Sequence, residues 1–515
     1  MGADLMEILR KLEENANLIG EHIAYIEQEN SMTWSEVQAL SDCLAFGLDG
    51  LGVGKRTRVG LCGQNSIDWI LCLFGLLKCG AIPVLINPDH TVEEKQNLVQ
   101  KHDVQCVLIG TARSRSLEKD FEGWIPFHKM KNLREMAVER RLTQVDYNNL
   151  SSLTSQVDDN SLGMILFTSG TTSDPKGVKL TYKQLYKNGE ALAQACRWTH
   201  NDRQILTLPM HHCSGLTAGI LMALSVGASS VILSRFHPIE AMKMIEKHRC
   251  TAMNAVPSMF LMMCECDKKY DLSTLCSGTL AGSTIGETEY LKITQFTGMQ
   301  HLLPCYGQTE TSPIVTIVGY EDTIEQRSKS IGKPLPGVEL RTFMCPEQRL
   351  AKPYEIGEIE VRSPYTMLGY DGQEDETNLK IDPQGWLKTG DLGYVDTGGY
   401  LYFTGRCRDI IVRGGENVVP FEIEEQIRKL ESSIIDLKVI GVPDPMMQEV
   451  PMAMIVSTKT VDIPWLKQEL SKHLSKFKVP EYIYQIPKLP RTTTGKIDVQ
   501  AARKLAEDLL NQMEQ

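Results

Sequence analysis

Apolar residues recur at two different spacings in the first hundred positions. Thr33-x-x-Glu36 is a capping box, and Val37, Leu40, Leu44 and Leu48 follow on one helical face. Arg58–Cys62 reads as a strand, Ser66 caps an apolar helix that stops at Gly80, and Ile82–Ile86 reads as the next strand. Thr91 opens another helix and Val104–Ile109 another strand. Strands separated by helices of this length predict βαβ units and a largely parallel sheet. The alternation resumes between residues 160 and 310. From Gly357 the texture changes: Ile356–Val361 and Tyr400–Phe403 are short alternating strands between Gly-rich turns, which predicts a small β subdomain. Beyond Arg408, strands such as Ala453–Val456 mix with amphipathic helices at Glu422–Leu430 and Trp465–Leu474. The expected class is α/β, with a large N-terminal domain of mainly parallel sheets plus the β subdomain (1–405). A hinge at 406–409 and a small, mobile α+β C-terminal domain (410–515) complete it.

Composition narrows the function classes. A chain of 515 residues is too long for one ordinary core. Lys+Arg total 54 against Asp+Glu 65, a net charge of −11, the wrong sign for a nucleic-acid partner. The 14 cysteines are scattered, with no CxxC pair, and Cys264/Cys266 are the tightest spacing. That argues against zinc and redox motifs, and free cysteines in a long chain point to a reducing compartment, the cytoplasm. The N-terminus lacks the basic and apolar regions of a signal peptide, Met6 stands where myristoylation wants Ser or Thr, and the C-terminus is not S-K-L. Cys213–Ser234 carries no charge over 22 residues, but Gly215, Gly219 and Gly227 interrupt it. A helix, a turn and a strand at Val231 fit it better than a membrane span.

The segment richest in chemistry is Phe167-Thr-Ser-Gly-Thr-Thr-Ser-Asp-Pro-Lys-Gly177, which follows the strand-like run Met164–Phe167. Its small residues let the backbone approach an anion. The hydroxyls of Thr168, Ser169, Thr171 and Thr172 can donate to phosphate oxygens, and Lys176 adds a point charge. The loop is not a Walker loop, since GxxxxGK[ST] fails here and again at Gly495-Lys496, where Ile497 follows.

This TSGTTxxPKG loop resembles the signature of the adenylate-forming superfamily, which includes acyl- and aryl-CoA synthetases, insect luciferases and peptide-synthetase adenylation domains. Further segments resemble family signatures in family order. They are Pro209-Met-His-His-Cys-Ser-Gly-Leu216, Leu280-Ala-Gly-Ser-Thr-Ile285, Tyr306-Gly-Gln-Thr-Glu310 and Trp386-Leu-Lys-Thr-Gly-Asp391, then Gly405-Arg-Cys-Arg-Asp409, Gly414-Gly-Glu-Asn417 and Pro490-Arg-Thr-Thr-Thr-Gly-Lys496. The resemblance runs from about residue 30 to residue 505.

The resemblance implies a two-step reaction. A carboxylate attacks the α-phosphorus of ATP to give an acyl-adenylate and pyrophosphate, and a thiol, usually CoA, then displaces AMP. It implies that Thr168, Ser169, Gly170, Thr171, Thr172 and Lys176 hold the β- and γ-phosphates, that Glu310 binds Mg²⁺, and that Thr309 contacts the α-phosphate. Tyr306 would pack on the adenine and Gly282 and Ser283 would line it, with Cys305 and Gly307 also in the nucleotide site. Asp391 would accept from the ribose hydroxyls, and Arg406 would sit near ribose and phosphate. Lys496 would bridge the acid's carboxylate and the α-phosphate as the adenylation catalyst. Arg408 takes the hinge position, where many relatives carry Asp or Lys. Gly414 and Gly415 would line the pantetheine tunnel, where a side chain would block the thiol.

His212 would border the carboxylate of the acid, with His211, Cys213 and Ser214 beside it. Amino-acid-activating relatives usually carry Asp at the position of Cys213, so an α-amino acid is disfavoured. Ala255–Met263 resembles the segment along the acyl pocket and is apolar, which suits an aliphatic or aromatic acid, although the same run is equally a core helix. The expected partners are therefore a small-molecule carboxylic acid, ATP and CoA. A separate carrier protein is the alternative acceptor, and intact Lys496, Asp391 and Glu310 argue against a non-catalytic relative.

Overall fold

Local signals in the sequence become the ends of elements. In the computed structural model, Thr33 accepts a hydrogen bond from the Glu36 N–H and closes its capping box at the head of helix Trp34–Gly50, and Val37, Leu44 and Leu48 are buried. Thr91 and Thr181 cap helices Val92–Lys101 and Tyr182–Ala195 in the same way. Helix Ile67–Lys78, capped by Ser66, is buried at every residue except Asp68, and Gly80 just beyond it has φ +71°. Each fully buried large apolar side chain contributes about 1.5–3 kcal/mol, so this helix anchors the main core. The structure describes all residues except 1–5, 113–115, 155–156, 169–174, 268, 284, 345–346, 348, 492–496 and 512–515, and the side chains of 151, 153, 154 and 511 are not described.

The chain divides into two compact units. The larger, Met1–Glu339 with Val361–Leu387, holds two sheets. In the nine-stranded sheet, Ile23–Glu27, Ser229–Ile232, Arg203–Leu206, Ala252–Asn254, Ser277–Leu280 and His301–Tyr306 run parallel in that spatial order, with antiparallel strands at both edges. In the seven-stranded sheet, Leu162–Phe167, Ile82–Ile86, Arg58–Cys62, Cys106–Ile109 and Phe127–Lys129 are parallel. Gly177–Thr181 and Gly369–Tyr370 add an antiparallel edge to it.

The uncharged run from Cys213 folds as expected, as helix, turn and strand. Its first part is a π-helix, Gly215–Leu221, continued by α-helix Met222–Val226. Gly227, at φ +75°, turns the chain into strand Ser229–Ile232. Among the described residues, no helix is long and apolar enough to cross a membrane.

The smaller unit, Leu340–Glu360 with Lys388–Gln515, carries a five-stranded sheet that includes Leu387–Val395 and Leu401–Arg406. It also holds a sheet built on the long antiparallel pair Ile434–Asp444 and Gln448–Ser457. Alternate residues of this pair enter two cores. Val439 packs with Ile423 and Ile427 of helix Pro420–Leu430, and Ile440 packs with Ala502 and Ala506 of helix Val499–Asn511. A large α/β part and a small α+β part are both present, as expected, but the β subdomain expected within 1–405 groups with the smaller unit. The reason is that its strands Leu387–Val395 and Leu401–Arg406 share a sheet with Gly357–Arg362 and Glu339–Met344 rather than with the two large sheets. The thirteen described cysteines are free.

Candidate active site

Strand Leu162–Phe167 delivers the chain to the Ser/Thr-rich loop, and Gly177–Thr181 carries it back antiparallel, pairing Phe167 with Gly177. The Thr168 N–H donates to the Lys176 carbonyl at 3.2 Å and closes the neck. Ser169, Gly170, Thr171 and Thr172 lie outside the described residues. Lys176 Nζ sits 2.6 Å from Glu376 Oε2 and 5.0 Å from the centre of the Tyr370 ring.

Tyr306 ends the parallel strand His301–Tyr306, and the carboxyl end of its neighbour Ser277–Leu280 leads into exposed Gly282 and Ser283. Ligands of open α/β sheets gather outside such carboxyl ends. Gly282 has φ +91°. Cys305 is buried, which pushes its thiol up to about 12. A Cβ on Gly307 would lie 1.8 Å from the Pro313 carbonyl oxygen, so only glycine passes there. Thr309–Thr311 then makes one 3₁₀ turn and sends Glu310 inward, 7% exposed.

Tyr370 Oη donates to Glu310 Oε1 at 2.8 Å, and the Met367 N–H donates to the Glu310 carbonyl at 2.9 Å. Burial, then the negative charge of Glu310 and this hydrogen bond, push the Tyr370 phenol well above its ordinary range, so it remains a donor. The next residue, Asp371, donates its N–H to the Gly177 carbonyl at 2.8 Å. Its carboxylate accepts from Arg58 Nη1 and Nη2 at 2.9 and 3.0 Å, and it lies 2.8 Å from His102 Nδ1. Burial alone would raise the Asp371 carboxyl, but the bonds to His102 and Arg58 outweigh it and hold the group below its ordinary value. Sequence reasoning passed over Arg58, His102, Tyr370, Asp371 and Glu376. The only hint was Gly369-Tyr-Asp371 ahead of the acidic run Glu374–Glu376.

The histidine segment lies in the same unit. Asn65 Oδ1 accepts from the Met210 N–H at 2.8 Å, and Asn65 Nδ2 donates to the Leu208 and Leu233 carbonyls, which fixes the approach to His211. The His211 and His212 rings lie 4.4 Å apart. His211 keeps part of its surface accessible, yet its Nδ1 is buried and has no hydrogen-bond partner among the described residues. Burial, with lesser contributions from His212 and His90, holds His211 well below the usual histidine range, so it is neutral. Cys213 is buried and its thiol is pushed up to about 12, first by burial and in part by the charge of Glu310. Ser214 precedes the π-helix, and a Cβ on Gly215 would lie 2.0 Å from the Pro209 carbonyl oxygen. The apolar run after Ala255 forms helix Pro257–Cys264. Phe260 and Met263 are buried in the core, whereas Met259 and Leu261 pack only partly against it.

In the smaller unit, Asp391 and Arg406 face each other on antiparallel strands, with Arg406 Nε 3.5 Å from Asp391 Oδ1. Gly390, at φ +77°, turns its N–H onto Glu358 Oε1. Arg408 lies in the 3₁₀ turn Cys407–Asp409 that follows. Gly414 and Gly415 have φ +58° and +90° and join strands Ile411–Arg413 and Glu416–Val418. Positive φ at both central residues is what a type I′ hairpin demands, a local reason for glycine there. Lys496 lies outside the described residues.

A loop rich in hydroxyls beside Lys176, a buried carboxylate and a neutral apolar flank can hold a polyphosphate next to a carbon-rich acid. Residues 12–371 match the AMP-binding enzyme family, and residues 422–496 match the AMP-binding enzyme C-terminal domain.

The chain belongs to the AMP-binding enzyme family.

Within that family it is of the CoA-ligase type. It is 30% identical to 2-succinylbenzoate–CoA ligase of Bacillus pumilus (strain SAFR-032) over 477 residues, 93% of this chain and 94% of the other. It is 28% identical to the mitochondrial medium-chain acyl-CoA ligase ACSF2 of Homo sapiens, over 95% of this chain and 86% of the relative. Its fold superposes with a TM-score of 0.80 on o-succinylbenzoate CoA synthetase (MenE) from Bacillus subtilis in complex with the acyl-adenylate OSB-AMP. That match has 27% identity and covers 96% of this chain and 97% of the other. The same synthetase has also been solved with ATP and a magnesium ion.

Proposed function

We propose that the chain converts an aliphatic or aromatic carboxylic acid to its CoA thioester. A carboxylate oxygen attacks the α-phosphorus of ATP and expels pyrophosphate. The CoA sulfur then attacks the acyl carbon of the adenylate and expels AMP. Thr168–Thr172 and Lys176 hold the β- and γ-phosphates, Thr309 meets the α-phosphate, and Gly282, Ser283, Cys305, Tyr306 and Gly307 surround the adenine. Asp391 and Arg406 take the ribose. Lys496 spans carboxylate and phosphate, where positioned charge is worth roughly 3–4 kcal/mol in the transition state. His212, with His211, Cys213 and Ser214, borders the acid. Residues 406–409, with Arg408, form the hinge between 1–405 and 410–515, and Gly414 and Gly415 line the thiol's path. The free state of the thirteen described cysteines supports a reducing compartment, the cytoplasm, as the setting of the reaction.

Magnesium keeps several waters and binds through one or two carboxylates plus substrate phosphates. A single buried carboxylate, Glu310, fits that donor set. The bound ion would neutralise phosphate charge.

The observation that carries this proposal is the meeting of Lys176 and Glu310 at Tyr370, because the first comes from one sheet's phosphate loop and the second from the other sheet. The test is to incubate the purified chain with ATP, Mg²⁺ and a mixed pool of aliphatic and aryl acids, with and without CoA, and read products by mass spectrometry. A CoA thioester is expected. Acyl-adenylate that never becomes thioester would move the acceptor to a carrier protein, and no adenylate from any acid would overturn the proposal. Lys496→Ala should abolish pyrophosphate release yet still convert supplied acyl-adenylate to thioester.

A further inference from the structure

Residues 367–371 touch both halves of the phosphate-binding region. Strand Gly369–Tyr370 pairs with Gly177–Thr181, the strand that leaves the phosphate loop, and the Asp371 N–H extends that contact to the Gly177 carbonyl. Successive side chains of extended backbone point to opposite faces. Tyr370 therefore reaches Glu310 while Asp371 reaches Arg58 and His102. Asp371 is only 8% exposed and held by three hydrogen bonds, so the residue before it is pinned.

We infer that Tyr370 is a positioning residue for Glu310: its hydroxyl orients the carboxylate for a divalent cation on ATP, and its ring steadies Lys176 beside the same phosphates. This rests on the proposed metal role of Glu310. The phenol is buried at 4% exposure and its bond to Oε1 is 2.8 Å, short enough to set the plane of the carboxylate. Groups that hydrogen-bond a metal-binding carboxylate typically change metal affinity by about 10- to 100-fold when removed. The ring's place is separate. Lys176 Nζ lies 5.0 Å from its centre, within cation–π range, and phenylalanine would keep that contact.

The test uses the full chain with ATP and no carboxylic acid, so that nothing turns over. Manganese is the probe, and its affinity for the ATP complex is read by electron paramagnetic resonance. Tyr370→Phe should weaken manganese binding about tenfold, with metal-free ATP affinity and melting temperature unchanged. Glu310→Gln should weaken it at least as much, and adding Tyr370→Phe to Glu310→Gln should cost nothing more. Unchanged manganese affinity in Tyr370→Phe, beside a loss in Glu310→Gln, would overturn the role of Tyr370 alone. Unchanged affinity in Glu310→Gln would instead remove Glu310 from the metal site. If Tyr370→Phe lowers the melting temperature, the double variant still decides, since an equal further loss in the Glu310→Gln background would mean a merely structural role.

Discussion

Glu310, Tyr370, Lys176 and Asp371 are tied into place by bonds of 2.6 to 3.0 Å to partners of complementary charge or polarity, whereas His211 keeps a buried ring nitrogen without a partner among the described residues. Both clusters belong to the larger unit, and Cys213 of the second feels the charge of Glu310 in the first. On the proposed roles, the difference matches two kinds of ligand. A polyphosphate needs charges held in advance, because reorganising them during the reaction costs free energy. An apolar acyl group needs a desolvated, neutral wall, and a charged imidazole there would be expensive to bury. Each cluster is nevertheless anchored alike, by a glycine against a carbonyl oxygen: Gly307 on Pro313 and Gly215 on Pro209.

The largest expected effects come from breaking those anchors one at a time. Gly307→Ala and Gly215→Ala each force backbone to move, and each should destabilise the chain by about 3 kcal/mol, read by thermal unfolding. Calorimetric titration with ATP separates them: Gly307→Ala should lose ATP binding and Gly215→Ala should retain it. Equal loss in both would mean that the two ends are one cooperative element.

A smaller effect tests the neutral histidine. The unfolded chain protonates His211 near its ordinary value of 6.5, while the native state resists protonation. The unfolded state therefore binds more protons as pH falls below that value, and native stability is lost in the same direction. His211→Phe should lessen the drop in melting temperature between about pH 7.5 and about pH 5.5 by about 2 °C. An identical drop in both proteins would show that His211 titrates normally in the native state.

The smallest effect concerns Lys176. Glu376 is half exposed, and on the proposed role of Lys176 it would compete with phosphate for the ammonium group. Glu376→Gln should tighten ATP binding by about twofold, in line with the weakness of exposed ion pairs. Weaker binding would instead make Glu376 part of the site.

Much of the architecture was legible because its signals are local. The box at Thr33, the helix start at Thr91, the cap at Ser66 and the helix, turn and strand after Cys213 need only neighbouring residues, and they appear where the sequence puts them. The signature loops were legible for the same reason, since each packs its chemistry into a short run. The apolar helix Pro257–Cys264 was ambiguous in sequence, and packing divides it, with Phe260 in the core and Met259 only partly so. Gly414 and Gly415 could be named, but that both occupy positive φ in a tight hairpin is visible only in the backbone.

The sequence by itself therefore determined the class of fold, the order of the motif-bearing loops and the residue types able to meet phosphate. Tertiary structure decided which of those residues are held and by what. Tyr370 meets Glu310 across 60 positions, and Asp371 meets His102 and Arg58 across 269 and 313. No periodicity or spacing encodes such pairs. They arise only when the antiparallel edge strand Gly369–Tyr370 meets distant segments of both sheets, and burial there makes each hydrogen bond matter.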